Sequence, residues 1–203
     1  MSKELIGSIS GALVILSAIP YIVRIYQRKI SPRLSSWGIW TVIGLSLMLT
    51  YKSSGADANL WPAVFGFINP ALVVAMIWFR EGDRGGLEPI EKACLLIGLV
   101  SIELWWIMES DKNLAQYALY VAIVADACAA VPTILAYWKN PLEDRPFAWT
   151  CFGVGYGLAI FAVPEQTFAN YILPVYMFAG AGLIALPLIL YRMRQGIPIK
   201  EWI

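Results

Sequence analysis

The chain has 203 residues, of which 59% are hydrophobic and only 14% charged, with a formal net charge of +1. Soluble domains carry about 25% charged residues, so this composition excludes an ordinary water-facing fold and leaves no room for a soluble domain beside apolar spans of about 20 residues each. The balanced charge, with no basic run beyond short clusters at helix ends, gives no footprint for a nucleic-acid partner.

In chain order, apolar windows predict transmembrane helices at 4–26, 36–53, 60–79, 92–110, 114–138, 147–164 and 169–191. The first is too long for a signal-peptide core and lacks a small-residue cleavage site, so it reads as a true span. Turn-forming, polar stretches separate the windows: Ile30-Ser31-Pro32-Arg33, Ser54-Gly55-Ala56-Asp57, Gly82-Asp83-Arg84-Gly85-Gly86 and Asn140-Pro141-Leu142-Glu143-Asp144. Cys94, Cys128 and Cys151 all fall in apolar stretches, at a spacing that fits no metal motif, and read as packing residues. There is no histidine, which removes the commonest metal ligand, and neither a metal nor a cofactor is expected.

Orientation follows from the 15 Lys and Arg residues. Twelve of them (Arg24, Arg28, Lys29, Arg33, Arg80, Arg84, Lys92, Lys139, Arg145, Arg192, Arg194 and Lys200) fall on the side of the first, third and fifth loops and the C-terminal tail. Only Lys3, Lys52 and Lys112 fall on the other. Basic loops stay in the cytoplasm, so the N-terminus is expected outside and the C-terminus inside.

The chain also repeats itself at an offset of 112 residues. Pro20 precedes Trp37 by 17 residues, as Pro132 precedes Trp149, and Ile22, Tyr26 and Arg33 match Ile134, Trp138 and Arg145. Helices 1–3 thereby match helices 5–7. The expected organisation is a first three-helix unit over 1–91, a linker helix over 92–112 and a second three-helix unit over 113–203. An odd linker leaves the two units parallel, related by an axis along the membrane normal.

Pro20-Tyr21 with its following loop, and Glu143-Asp144-Arg145-Pro146-Phe147 after Pro132, resemble the repeat units of the SWEET and PQ-loop superfamily. The resemblance covers nearly the whole chain through the 3+1+3 arrangement. It departs from the family in two places: Tyr21 and Thr133 stand where a glutamine would follow the proline, and only Pro20, Pro132 and Pro146 answer to the four prolines typical of SWEETs. It implies an all-α integral membrane protein of the cell membrane, with the path between the two units and a small polar solute, sugar-like, as its cargo. A homo-oligomer is compatible with it.

A charged side chain at mid-bilayer costs about 2.5–3.5 kcal/mol, so each one present calls for a reason. Asp126, central in span 5, is a substrate contact, a proton-binding site on the transport path, or a structural hydrogen-bonding residue joined to a neighbouring helix. Glu103, mid-way along span 4, is either a second proton-coupling candidate or a brace between the units. Asn69, followed by Pro70, offers a donor and an acceptor to a polar solute, and the resemblance implies a pocket asparagine there. Its partner at the offset is Ala181, and Tyr176 is the expected substitute. Trp37, Trp40 and Trp149 open spans 2 and 6 as interface anchors or as stacking surfaces for a ligand. Tyr156, between Gly155 and Gly157, projects from a narrow point of span 6, for binding or for close packing. Pro20, Pro132 and Pro146 are the hinge candidates, and Ser10, Ser17 and Ser46 are expected to bond within their own helices.

The function expected from these features is transport of a small polar solute by alternating access, with proton linkage through Asp126. A non-transporting receptor or sorting protein on the same scaffold is the alternative; it would call for a pocket rich in Arg. An intramembrane enzyme is disfavoured, since HExxH and GxSxG motifs are both missing. A retinal protein is disfavoured too, because span 7 has no lysine.

Overall fold

A computed structural model describes residues 1–30, 32–80 and 86–203. The turns expected at Ser31 and at 82–85, with the Arg84 of the charge count, lie outside the described residues. Within them are seven α-helices and no strand: α1 (Lys3–Tyr26), α2 (Leu34–Ser53), α3 (Trp61–Phe79), α4 (Pro89–Met108), α5 (Lys112–Lys139), α6 (Pro146–Ala159) and α7 (Phe168–Arg194).

The helices start where side chains can take up free N–H groups. Ser2 Oγ accepts from Leu5 N–H, Asp111 Oδ1 from Asn113 N–H and Thr167 Oγ1 from Asn170 N–H. Glu88 and Glu91 form a reciprocal capping box on α4, which therefore begins at Pro89, three residues before the window expected from hydropathy. α6 ends earlier than its window. Residues Ile160–Ala162 tighten into a 3-10 turn, and Val163 is extended (ψ 121°) because Pro164 follows it.

Five helical segments are long and apolar enough to cross a membrane: Lys3–Tyr26, Leu34–Ser53, Ala58–Phe79, Lys112–Lys139 and Phe168–Arg194. α6 with its 3-10 extension is shorter, and α4 carries Glu91, Lys92 and Glu103. Large apolar side chains face outward, including Ile19 on α1, Leu135 on α5 and Leu183 on α7, while Ser10, Ser46, Thr50 and Asn170 are buried. A water-soluble protein hides its apolar side chains instead; this is a helical membrane protein.

α3 packs against both α1 and α2, and α7 packs against both α5 and α6. The two groups meet where α1 lies on α6 and α2 on α5, and α4 packs on α2 and α5. Serines tie these contacts, which corrects the expectation that they bond only within their own helices. Ser10 Oγ donates to Gly155 O of α6 at 2.6 Å, and Ser46 Oγ donates to Ser101 Oγ of α4, which passes a bond on to Ala118 O of α5. Ser17 alone stays local, donating to Val14 O. The α1–α6 contact depends on Gly155. A Cβ there would stand 2.7 Å from Val14 Cγ2 and 2.9 Å from Ser10 O, a backbone atom that cannot swing away.

Proline shapes the rest. Pro20, Pro70, Pro132, Pro174 and Pro187 all lie inside helices and leave the carbonyl four residues earlier without its helical donor. On α7 both freed carbonyls are taken up by neighbouring helices. Tyr51 Oη donates to Asn170 O at 2.7 Å, and Trp138 Nε1 donates to Leu183 O at 3.0 Å. For Leu16 O on α1 and Cys128 O on α5 no side-chain donor is found among the described residues. The hinge reading of Pro20 and Pro132 keeps its geometric basis. That of Pro146 does not: it is the first residue of α6, where a missing N–H breaks no bond and bends nothing.

Gly155→Ala is expected to lower stability in detergent by about 1–3 kcal/mol through overpacking. Gly182→Ala, where a Cβ meets nothing within 4 Å, should be neutral or stabilising by up to about 1 kcal/mol. Thermal unfolding of the two purified variants, side by side, checks this.

Candidate functional site

α1, α2, α3, α5, α6 and α7 all turn residues into one central cavity of about 130 Å³, and α4 contributes none of its described lining. Asn69, Asp126, Tyr156, Tyr176, Trp149 and Trp37, picked out separately from five helices, all line it. At mid-bundle Tyr176 Oη donates to Asp126 Oδ2 at 2.7 Å, joining α7 to α5. Among the described residues Asp126 has no cationic partner. A carboxyl placed here, with one tyrosine hydroxyl as its only described donor, has the chemistry to take up a proton or a positively charged group.

Asn69 behaves differently from expectation on its donor side. Its Nδ2 is spent on Val14 O (2.7 Å) and Ser17 Oγ (3.2 Å), so it braces α3 against α1. Its Oδ1 is buried without a partner among the described residues. Tyr156 crosses from α6 to α3, where its hydroxyl donates to Pro62 O at 3.0 Å. Gly66 is the space it needs, since a Cβ at residue 66 would lie 2.5 Å from Tyr156 Oη. At the equivalent place in the first half stands Gly44, which also lines the cavity.

Towards the end that carries the α1–α2 and α5–α6 loops, the cavity is walled by rings. Tyr21 and Trp37 have centroids 4.9 Å apart, Trp37 and Trp40 5.9 Å, Trp40 and Trp149 5.9 Å, and Trp149 and Tyr137 6.5 Å. The tryptophans are partly buried, inward-facing residues rather than lipid-facing anchors. The same five rings form one wall of a second cavity of about 230 Å³ between α2, α4 and α5, which Pro132, Glu88 and Glu91 also line. The ring chain thus partitions two spaces.

Asp144, read from sequence only as part of a turn, holds this end together. Its Oδ2 accepts from Tyr137 Oη at 3.1 Å and Trp149 Nε1 at 3.0 Å, its Oδ1 accepts from Arg145 N–H, and Arg24 Nη1 lies 3.6 Å from it. Arg192 reaches its carbonyl at 2.6 Å from α7. One residue therefore links α1, α5, α6 and α7.

The opposite end is closed. Tyr51, Asn59 and Asn170 are almost fully buried there, with Asn59 Nδ2 bonded to Tyr51 Oη. Lys3 Nζ donates to Val163 O at 2.8 Å, and Lys112 pairs with Glu165 at 2.6 Å. Asn170 keeps neither side-chain atom satisfied among the described residues, although both are buried.

Glu103 belongs to neither cavity. It is exposed on the outer side of α4 and has no described polar partner. The bracing considered for it falls to Ser101 and to Trp105, whose Nε1 donates to Ser53 Oγ. The three cysteines are free, and among the described residues no group of His, Cys, Asp or Glu is placed to hold a metal. No known protein family, curated protein or solved structure matches the chain.

Asp144→Ala leaves two buried ring donors and Arg24 unpaired, at about 1–3 kcal/mol for each stranded donor. The expected outcome is a clear drop in thermal stability and a shift in tryptophan emission as Trp149 is released; Asp144→Asn, which keeps the acceptor, should shift the emission less.

Proposed function

We propose that the protein is a transporter that moves a small polar solute through the central cavity by alternating access, with all seven α-helices crossing the bilayer. The observation that carries this reading is the six-helix convergence on a cavity with Asp126 and Tyr176 at mid-bundle, closed at one end and walled by rings at the other. Unlike Asp144, which is taken up by structural partners, Asp126 faces the cavity with a single described donor.

The repeat supports two units that move against each other. Several lining residues stand 112 positions apart: Ala18 and Ala130, Trp37 and Trp149, Trp40 and Phe152, Gly44 and Tyr156, Asn69 and Ala181. α3 stands to α1 and α2 as α7 stands to α5 and α6, and α2 and α6 begin at the matched positions Leu34 and Pro146. α4, of 20 residues, is about 30 Å long, enough to span as the linker. The resemblance to SWEET and PQ-loop proteins fits this packing. The charge bias favours a cytoplasmic C-terminus in the cell membrane, so the ring-walled end is the cytoplasmic one and the Tyr51–Asn59–Asn170 end is the outer gate.

The outer gate is suited to opening. Its buried, unpaired Asn170 amide carries an unmet cost of about 1–3 kcal/mol that hydration in an outward-open state removes. The unclamped bends at Pro20 and Pro132 supply flexibility on α1 and α5, whereas the clamped α7 stays stiff. Asp126 is the proton-coupling group. A receptor for an acidic ligand would need cations in the cavity, and among the described residues it has none.

Uptake into proteoliposomes, with and without a pH gradient, tests the reading. Accumulation of a solute driven by the gradient is expected, and Asp126→Asn should abolish the response to the gradient at least tenfold while leaving the protein folded. Unchanged uptake and unchanged gradient dependence in that variant would remove Asp126 from the coupling step.

A further inference from the structure

The hydrogen-bond inventory of the central cavity points to the charge of its ligand. Deep in the cavity the donors are already used by the protein: Tyr176 Oη on Asp126, Tyr156 Oη on Pro62 O, Ser17 Oγ on Val14 O, and Asn69 Nδ2 on Val14 O and Ser17. Acceptors are left over. Asn69 is 7% exposed and its Oδ1 is buried without a partner, and no described side chain donates to the second oxygen of Asp126. A ligand that fits here must bring hydrogen-bond donors and find acceptors waiting for them.

The charges agree. Among the described residues no Lys or Arg lines the cavity. Of the two carboxylates that do, Asp144 is matched by Arg24 and holds four protein donors in place through its side chain and carbonyl, whereas Asp126 has no cation. An anionic solute would meet an uncompensated carboxyl in a site without positive charge, at a cost no lining group offsets. Between the mouth and Asp126 lies the ring chain from Tyr21 through Trp37, Trp40 and Trp149. The negative faces of such rings attract cations by about 0.5–2 kcal/mol each and so favour the approach of one.

We propose that the cavity selects a small organic cation, a protonated primary amine, with Asp126 as its counter-ion, Asn69 Oδ1 as a second acceptor and the Trp37–Trp40–Trp149 rings as the surface it passes. The proposal rests on the transport reading for its purpose but not for its test, because binding is read without transport.

The test is equilibrium binding to the purified full chain in detergent at one fixed pH, read by tryptophan fluorescence, with three probes matched in size: n-butylammonium, butan-1-ol and butyrate. The ammonium member is expected to saturate the site at least tenfold more tightly than the alcohol, with butyrate the weakest. Asp126→Asn should bring the ammonium down to the level of the alcohol, and Asp126→Glu should keep a preference for the cation. Equal binding of the alcohol, tighter binding of butyrate, no saturable binding of the ammonium, or a cation preference that survives in Asp126→Asn with native-like unfolding would each overturn the proposal. Uptake without cation selectivity leaves transport standing and removes only this inference; selective binding without uptake does the reverse.

Discussion

Inside a bilayer a backbone group that loses its helical partner finds no water to replace it, and this chain loses five such partners to proline. How each freed carbonyl is treated decides which parts of the bundle are stiff. α7 carries two internal prolines and is clamped at both freed carbonyls, by Tyr51 from α2 and by Trp138 from α5. The Tyr51 clamp also ties the two halves of the chain, whereas the Trp138 clamp joins α5 to α7 within the second half. α1 and α5 carry the matched prolines without such clamps, and in the proposed transport cycle they are the yielding helices, with α7 as the stiffer frame.

The same accounting explains why the mostly apolar cavity wall offers acceptors rather than free donors. Each bond that a lining side chain makes to a neighbouring helix holds the walls together and removes a donor from the cavity. Asn69 shows both effects at once, bracing α1 with its amide N–H and presenting only its oxygen. Asp126 is left as the strongest acceptor with the fewest protein partners. Asp144, chemically identical, is consumed by Tyr137, Trp149, Arg145 and Arg24 and becomes a structural pin. Two carboxyls in one cavity wall have been given different roles by their neighbours alone.

Hydropathy and charge were enough to place every helix to within a few residues, because an apolar window and a turn are local properties. The end of α6 was missed because Val163 answers to Pro164, a rule about one dipeptide that a window averages away. The residues brought into one cavity were legible as polar or aromatic intruders in apolar spans, and the 112-residue offset indicated which helices bear them. Asp144 and the Tyr51–Asn59–Asn170 closure were not legible, because a loop aspartate and a tyrosine near a helix end look alike whether they face water or each other. Glu103 misled for the opposite reason: its depth was visible in sequence, but the side of α4 it occupies was not.

What unites these features is a cavity at mid-bundle, walled by rings on the side of the basic loops and closed at the other end, and we propose that it is reached from the basic side. Ala130 lines it one turn beyond Asp126, and a cysteine there, in a chain whose three native cysteines are replaced, reports on that access directly. In oriented membrane vesicles the account predicts that a membrane-impermeant maleimide labels Ala130→Cys from the side of the basic loops far faster than from the other. Labelling from neither side, or at equal rates from both, would contradict it.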